Sequence, residues 1–335
     1  MEGGDRRSHG PFASFPAKAP LYMPFSHLPG AASPPGGLTG KSIRDTYTNF
    51  AGTLSYHLYV PAHLRRPPPL FVMLHGGSQS AADFAIGTRM NEVADGCGGM
   101  VLYPEQSSRA HPLGCWNWYD PGHQSAETGE PALIAGLTRH VMAEHGVDPQ
   151  RVYVAGLSAG GAMAVILGRT YPDLFAAVGV HSGLPFGVAH DLWSAMDTMR
   201  HGPARDRCMA CPRTERPMST IVFQGDCDST VHPSNGEAVL AQALGEATFK
   251  ELPTALRQSD RTVTRTTRQR SNGRRRTKGE LWVLHGAGHA WAGGNRLGSF
   301  TDEKGPDASR EMTRFFLKQR LSSSDDLGVK ASSAG

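Results

Sequence analysis

The pentapeptide Gly156-Leu157-Ser158-Ala159-Gly160 is the feature that most constrains this chain, because its G-x-S-x-G pattern has a specific context. It follows the apolar run Val152–Ala155 and precedes a stretch of small residues at 161–164. A strand that turns sharply into a helix needs small residues beside the turn, since the two elements pack closely there. The serine hydroxyl then stands exposed at the positive end of the helix. The pattern therefore predicts a nucleophile elbow with Ser158 as the nucleophile.

Short apolar runs alternate with helical segments along most of the chain. Buried strands are predicted at residues 70–74, 100–103, 151–155, 176–181 and 219–224, and helices at 80–95, 131–145, 159–170, 234–246 and 307–319. Strands that alternate with helices form a mostly parallel sheet with helices on both faces. We therefore expect a doubly wound α/β sheet.

The domain organisation follows from composition. Hydrophobic residues make up 39% of the chain, enough for one large core. Residues 1–42, rich in proline and glycine, predict a flexible arm, residues 43–320 a single catalytic domain, and residues 321–335 a disordered tail. No stretch reaches the ~18 apolar residues of a membrane helix. No apolar signal segment follows Met1, so we expect a cytoplasmic protein, with secretion left open.

Positive charge is concentrated in one segment. Nine Lys or Arg residues lie between Arg257 and Lys278, against Asp260 alone. The turn sequence Ser271-Asn272-Gly273 predicts a hairpin with arginines at its tip. The arginines at such a tip usually contact only solvent and have no binding role. The alternative is that they form a surface that binds an anionic partner such as a lipid-coated granule. The formal net charge of only +4 does not favour a nucleic-acid partner.

A serine nucleophile needs a histidine to remove its proton and an acid to orient that histidine. In this strand–turn–helix context the chain order is serine, acid, histidine. Two acids, Asp226 and Asp228, follow the predicted strand at 219–224. Catalytic groups gather at the carboxyl edge of such a sheet. Asp228 is the predicted acid, and Asp226 is the alternative. Asp226 could also have no catalytic role and accept hydrogen bonds from backbone amides of the turn.

The predicted base is His289, which lies in a glycine-rich loop just after the apolar run Leu281–Leu284. His285 and His232 are the alternatives among the fifteen histidines. The oxyanion formed on the substrate needs two N–H donors, for which we predict the amides of Ala159 and Gly77. Gly77 belongs to the sequence His75-Gly76-Gly77, which could also be an ordinary tight turn.

Aromatic and sulfur-containing residues leave more alternatives open. Trp291 and Trp116 are candidate walls of a substrate pocket, and packing in the core is the alternative for both. The chain has five cysteines, Cys97, Cys115, Cys208, Cys211 and Cys227. Because this number is odd, at least one of them has no partner within the chain. The pair Cys208-x-x-Cys211 could be a disulfide, a metal site or two ordinary thiols. The proposed chemistry needs no metal or organic cofactor.

Several motifs in one order resemble the short-chain-length polyhydroxyalkanoate (polyhydroxybutyrate) depolymerase esterases of the α/β-hydrolase superfamily, relatives of feruloyl and acetylxylan esterases. They are Leu74-His75-Gly76, Gly87-Thr88-Arg89-Met90-Asn91, Tyr103-Pro104-Glu105-Gln106, Cys115-Trp116-Asn117-Trp118, the elbow, Gly225-Asp226-Cys227-Asp228 and Gly288-His289-Ala290-Trp291. The resemblance implies an α/β-hydrolase fold and a serine ester hydrolase. It implies Ser158, Asp228 and His289 as triad and 3-hydroxybutyrate polymers or oligomers as substrate. A feruloyl or acetylxylan esterase is the alternative.

Two departures from the family pattern have consequences. Family members often carry cysteine where Gly77 stands, and the resemblance implies that this cysteine pairs with the one matching Cys115. Cys115 is therefore expected to be unpaired here. Secreted members also add a polymer-binding module, and the resemblance of this chain is to the intracellular branch, which meets amorphous storage granules or soluble oligomers.

Overall fold

The structure is a computed structural model that describes residues 38–204, 216–245, 252–258, 260–272 and 275–321. Its strands are β1 Lys41–Asn49, β2 Gly52–Val60, β3 Leu70–Leu74, β4 Met100–Glu105, β5 Val152–Leu157, β6 Ala177–His181, β7 Thr220–Gly225, β8 Leu252–Gln258, β9 Arg261–Asn272, β10 Arg275–Leu284, β11 Trp291–Ala292 and β12 Thr301–Asp302. Its helices are α1 Ala81–Thr88, α2 Met90–Cys97, α3 Gly129–His145, α4 Ala159–Thr170, α5 Leu192–His201, α6 Ser234–Leu244 and α7 Ala308–Phe316.

Ten strands form one sheet in the order β1-β2-β4-β3-β5-β6-β7-β10-β9-β8. The six central strands, from β4 to β10, run parallel to one another. Antiparallel strands flank them on both sides. The predicted mostly parallel sheet is confirmed, and it brings the carboxyl ends of the central strands to one edge.

The core lies on both faces of this sheet, as the alternation along β3 shows. Leu70, Val72 and Leu74 pack into one apolar cluster with residues of α3, α4 and α6. Phe71 and Met73 pack into the other cluster with residues of α1, α2 and α7. Because successive side chains of a strand point to opposite faces, a strand buried on both sides must be apolar throughout. The predicted helices on both faces are confirmed.

Several elements differ from the prediction, which did not include strands β8, β11 and β12. The helix expected over residues 80–95 is two helices, α1 and α2, because Arg89 adopts a left-handed backbone with φ of 55°. Strand β1 was not predicted as such, since most of its residues are polar and exposed. Helix α5 was missed as well, although Asp191 caps it through a capping box with Ser194.

The predicted hairpin of the basic segment is confirmed, with β9 and β10 antiparallel and Asn272 opposite Arg275. Three of its arginines have side-chain contacts in the described part of the chain. Arg261 pairs with Asp302, Arg265 lies over the ring of Trp282, and Arg268 pairs with Glu237. These three are therefore not at a free tip. The side chains of Arg270, Arg274, Arg275 and Arg276 lie outside the described residues.

Other predictions also fall on undescribed residues. They include most of the N-terminal arm, nearly all of the C-terminal tail and the pair Cys208-x-x-Cys211. The first described strand begins at Lys41, two positions before the predicted start of the catalytic domain. Within the described ranges, no helix has the length and apolar character needed to cross a membrane.

Candidate active site

Ser158 forms the sharp turn between β5 and α4. Its backbone has φ of 56° and ψ of −121°, a sparsely populated conformation for a residue with a side chain. A Cβ atom on Gly160 would lie 2.1 Å from the carbonyl oxygen of Leu74, and one on Gly156 would lie 2.3 Å from the carbonyl carbon of Gly160. Only glycine fits at these two positions. The side chain of Ser158 remains partly exposed at the carboxyl edge of the sheet.

Asp228 and His289 form a buried acid–base pair at the same edge. The Nδ1 of His289 donates to Oδ2 of Asp228 over 2.8 Å, and the exposed fractions of the two side chains are 10% and 0%. The other oxygen, Oδ1, accepts the amides of Thr230 and Val231. Burial alone would raise the pKa of Asp228, but the hydrogen bonds from His289 and these amides lower it below its ordinary value. Asp228 therefore stays charged and fixes the tautomer of His289.

The Nε2 of His289 has no hydrogen-bond partner among the described residues. His285 differs in this respect. Its Nδ1 donates to Oδ2 of Asp226 over 2.8 Å, and its Nε2 lies 2.9 Å from the hydroxyl of Thr264. His232 is exposed, and its Nδ1 lies 2.8 Å from the hydroxyl of Ser234. Of the three candidate histidines, His289 alone combines an available Nε2 with a buried carboxylate in the described part of the chain.

Strand order places these residues together. Ser158, Asp228 and His289 follow β5, β7 and β10, whose carboxyl ends share one edge of the sheet. His181, at the end of the intervening strand β6, links the two sides of the site. Its carbonyl accepts the N–H of Ser158 over 2.9 Å, and its Nε2 accepts the N–H of Ala292 over 3.1 Å.

His181 was not singled out from the sequence, although it ends a predicted strand at the sheet edge that carries Ser158. Its ring stacks between Phe223 and Trp291. Burial, and secondarily the charge of His289, lowers the pKa of His181 to about 3. Because Nε2 accepts a backbone N–H, the neutral ring carries its proton on Nδ1, next to the hydroxyl of Ser182. His181 is therefore a neutral structural link beneath the site.

The loop His75-Gly76-Gly77 after β3 is held by the ring of His75, and the N–H of Gly77 points away from this ring. Nε2 of His75 accepts the N–H of Gln106, so Nδ1 carries the proton and donates to the carbonyl of Gly76 over 2.8 Å. That carbonyl and the N–H of Gly77 belong to one trans peptide unit and point in opposite directions. Within the described residues, the N–H groups of Gly77 and Ala159 make no hydrogen bond. Both are available to an oxyanion.

This loop also lies against the nucleophile. A Cβ atom on Gly76 would lie 3.6 Å from the Cβ of Ser158. The two predicted oxyanion donors, Gly77 and Ala159, each follow one of these adjacent residues. Acyl transfer needs a nucleophile, a base with its acid, and two donors for the oxyanion. The assignment of these roles to the residues at this edge stays a prediction.

The two tryptophans predicted to contact substrate are buried. Trp291 is 1% exposed, and its indole N–H donates to the hydroxyl of Ser309. Trp116 is 0% exposed, and its indole N–H donates to the carbonyl of His75. These contacts support packing roles beneath the site.

Phe300, which the sequence analysis missed, presents a 45% exposed aromatic ring edge-on to the ring of His289.

A cavity of about 370 Å³ lies next to Trp116. Its polar lining includes Gln106, Asn117 and the buried carboxylate of Glu130, which accepts hydrogen bonds from both of these side chains. None of the predicted catalytic residues lines this cavity. A direct contact between Trp116 and substrate therefore stays a prediction.

Among the described residues, three cysteines are free thiols: Cys97, Cys115 and Cys227. Cys115, expected to be unpaired, is one of them, and desolvation raises the pKa of its thiol to about 12. A thiol that stays protonated is a poor nucleophile and a poor metal ligand. Across the described ranges, no group of three or more His, Cys, Asp or Glu residues is arranged to hold a metal ion.

The family described as Esterase PHB depolymerase matches residues 54–267 of this chain. The chain belongs to this family. The matched region contains Ser158, Asp228 and Gly77, whereas His289 lies beyond it. The family resemblance stated from the sequence motifs is confirmed.

Two relatives illustrate the range of ester hydrolases to which the chain is similar. The poly(3-hydroxyalkanoate) depolymerase C of Paucimonas lemoignei is 32% identical over 201 residues, which are 57% of this chain and 48% of that protein. The feruloyl esterase B of Thermothelomyces thermophilus is 36% identical over 143 residues, which are 42% of this chain and 48% of that protein. The chain spans about half the length of these relatives.

Among solved structures, the acetyl xylan esterase from Aspergillus awamori superimposes with a TM-score of 0.60 at 20% sequence identity. The superposition covers 75% of this chain and 94% of that chain. At this identity the likeness concerns the fold alone. Together with the strand order, it confirms the predicted α/β-hydrolase fold.

Proposed function

We propose that this protein is a serine carboxylic-ester hydrolase with Ser158 as nucleophile, His289 as general base and Asp228 as the acid that orients it. The observation that carries the proposal is the buried Asp228–His289 pair, whose Nε2 is available at the sheet edge that also presents Ser158. Membership in an esterase family and the strained elbow support it independently.

The proposed reaction is a two-step acyl transfer. The Oγ of Ser158 attacks the ester carbonyl as its proton passes to Nε2 of His289, and the Asp228 carboxylate stabilises the resulting imidazolium. The N–H groups of Gly77 and Ala159 bind the oxyanion. The imidazolium then protonates the departing alcohol. Water, deprotonated by His289, attacks the acyl-enzyme, and collapse of the second tetrahedral intermediate releases the acid and restores Ser158.

For the substrate we propose short-chain polyhydroxyalkanoates, poly-3-hydroxybutyrate or its oligomers. The family match and the similarity to a poly(3-hydroxyalkanoate) depolymerase support this choice. The second candidate is a feruloyl or acetylxylan type of carbohydrate esterase, which the 36% identity to a feruloyl esterase favours. Under the first proposal the macromolecular partner is a polyester. Binding of a granule or another anionic surface by the basic hairpin stays a prediction.

Ser158→Ala tests the catalytic proposal. We expect hydrolysis of 4-nitrophenyl butyrate to fall by a factor on the order of 10⁴, because the remaining groups have no nucleophile to activate. Near-ultraviolet circular dichroism of the variant should match the parent, which shows that the fold is retained. A folded variant with the activity of the parent would overturn the assignment of Ser158.

The substrate is tested by product analysis on amorphous poly-3-hydroxybutyrate, 3-hydroxybutyrate oligomers and methyl ferulate side by side. Release of 3-hydroxybutyrate from the first two, abolished by Ser158→Ala, is the expected result. Release of ferulate without 3-hydroxybutyrate would replace the polyester proposal by the carbohydrate-esterase one.

A further inference from the structure

A second histidine–aspartate pair joins the two loops that carry Asp228 and His289. Asp226 lies two positions before Asp228, and His285 lies four positions before His289. Their Oδ2 and Nδ1 atoms are 2.8 Å apart, the same distance as in the buried pair. The exposed fractions of the side chains are 37% and 41%, against 0% and 10% for Asp228 and His289. The outer pair is therefore a separate, more exposed contact between the same two loops.

Asp226 is the main connection between these loops. Its Oδ1 accepts the N–H of Gly286 over 2.7 Å, while its own N–H donates to the carbonyl of Leu284 over 3.2 Å. One residue further on, the N–H of Cys227 donates to the carbonyl of Ala287 over 3.0 Å. One carboxylate thus fixes both the side chain and the backbone at the start of the histidine loop.

The histidine loop is also held from its other side. The Nε2 of His285 meets the Thr264 hydroxyl at 2.9 Å, and its carbonyl accepts from Nη1 of Arg261 over 2.8 Å. Arg261 is in turn paired with Asp302. His285 is consequently held between Asp226 and strand β9. Both of its ring nitrogens are engaged, so it is not available to deprotonate a serine.

We propose that Asp226 and His285 are positioning residues, which hold the histidine loop so that Nδ1 of His289 stays aligned with the carboxylate of Asp228. The inference rests on the proposed triad. A displacement of about 1 Å at a catalytic group can cost up to about a hundredfold in rate. Three contacts of the loop backbone survive loss of this pair: the carbonyls of Leu284, Ala287 and His285 still accept from the N–H of Asp226, the N–H of Cys227 and the side chain of Arg261. We therefore expect a smaller effect, a fall of about tenfold in kcat.

The pair also has a defined charge state. Burial would raise the pKa of Asp226, but the hydrogen bonds from His285, Gly286 and Cys227 lower it below its ordinary value. The titratable or charged groups around the pair are Cys227 and Arg261, with Asp302 behind the latter. Asp226 is therefore a carboxylate throughout the pH range in which an esterase of this kind is assayed.

The test uses Asp226→Asn and His285→Gln, each compared with the parent in hydrolysis of 4-nitrophenyl butyrate. Matched controls are Asp197→Asn and His201→Gln. They remove an exposed histidine–aspartate pair on α5 whose Nδ1 and Oδ1 lie 3.0 Å apart. We expect kcat to fall about tenfold in each test variant with KM unchanged, and to stay within twofold of the parent in each control. Thermal midpoints should differ little between test and control variants.

The pH profile separates positioning from general loosening of the fold. A misaligned Asp228 gives less support to the imidazolium form of His289, so the acid limb of kcat/KM should move to lower pH in the test variants. An unmoved acid limb, or a kcat within twofold of the parent, would overturn the proposal. Ser158→Ala is assayed in parallel. If it stays active, the triad itself fails, and that outcome is distinct from failure of the positioning role.

Discussion

A Cβ atom built on Gly77 would lie 3.7 Å from the Cβ of Cys115 and 3.6 Å from its Sγ. Paired cysteines have Cβ atoms about 3.8 Å apart. Gly77 is not among the residues with positive φ, so a side chain there adds no backbone strain. The position therefore has the geometry of one half of a disulfide whose other half, Cys115, is present as a half-buried free thiol.

We predict that Gly77→Cys forms a disulfide with Cys115 under mild oxidation. Closing the loop from 77 to 115 should raise the free energy of unfolding by about 2–4 kcal/mol. The gain is measured by denaturant unfolding with and without a reducing agent. The thiol titre in denaturant should fall by one relative to the parent. Gly77→Ser is the control and should show neither change, while a thiol titre raised by one in Gly77→Cys would contradict the prediction.

His181 predicts a specific acid sensitivity. Burial, followed by the charge of His289, lowers its pKa to about 3, whereas an unfolded histidine titrates near about 6.5. Between these values the unfolded chain binds a proton that the native chain does not. The free energy of unfolding therefore falls as the pH falls, by about 1.4 kcal/mol per pH unit from this group. The loss begins as the pH drops through the unfolded value.

His181→Gln should remove that contribution, so its unfolding free energy should depend less steeply on pH between about 6 and about 4. Glutamine keeps an amide oxygen that can accept from Ala292. Urea unfolding at three pH values measures the two slopes. Equal slopes in the parent and the variant would show that His181 is not held neutral by the fold.

The elbow glycines predict a contrast between two alanine substitutions. In Gly160→Ala the new Cβ would lie 2.1 Å from the carbonyl oxygen of Leu74, which forces β3 and α4 apart. We expect a loss of more than about 3 kcal/mol in unfolding free energy. Gly96→Ala on α2 meets nothing within 4 Å and should stabilise by about 0.5–1 kcal/mol. Denaturant unfolding compares both, and similar values would contradict the close packing at the elbow.

Much of the site could be predicted from the order of residues along the chain. Ser158, Asp228 and His289 each follow an apolar strand, and parallel strands bring such positions to one edge. The choice between Asp226 and Asp228 rested on weaker grounds, because both follow the same strand within three residues. Burial distinguishes them, since only Asp228 is fully enclosed together with its histidine. Burial of one loop residue against another depends on tertiary packing, which local patterns do not encode.

Other features were beyond local sequence for similar reasons. The break at Arg89 comes from a left-handed backbone at a residue that usually favours helix. The roles of His75 and His181 depend on hydrogen bonds to distant backbone groups of Gln106 and Ala292. Trp291 was predicted to line a pocket because it stands two positions after His289, and Trp116 because of its place in a loop. Their rings are buried in the core, and the position of a residue along the sequence does not show in which direction its side chain points.

The parallel pairing of β10 with β7 sets Leu284 opposite Gly225, so the histidine and acid loops start at the same level of the sheet. The antiparallel partner β9 pairs with β10 along its whole length, and at the end far from Leu284 Asn272 faces Arg275. Residues inserted between Asn272 and Arg275 lengthen the chain without altering the register next to Gly225. That position is a natural insertion point for a peptide tag or a fused module, since added sequence there leaves the spacing of the catalytic groups unchanged.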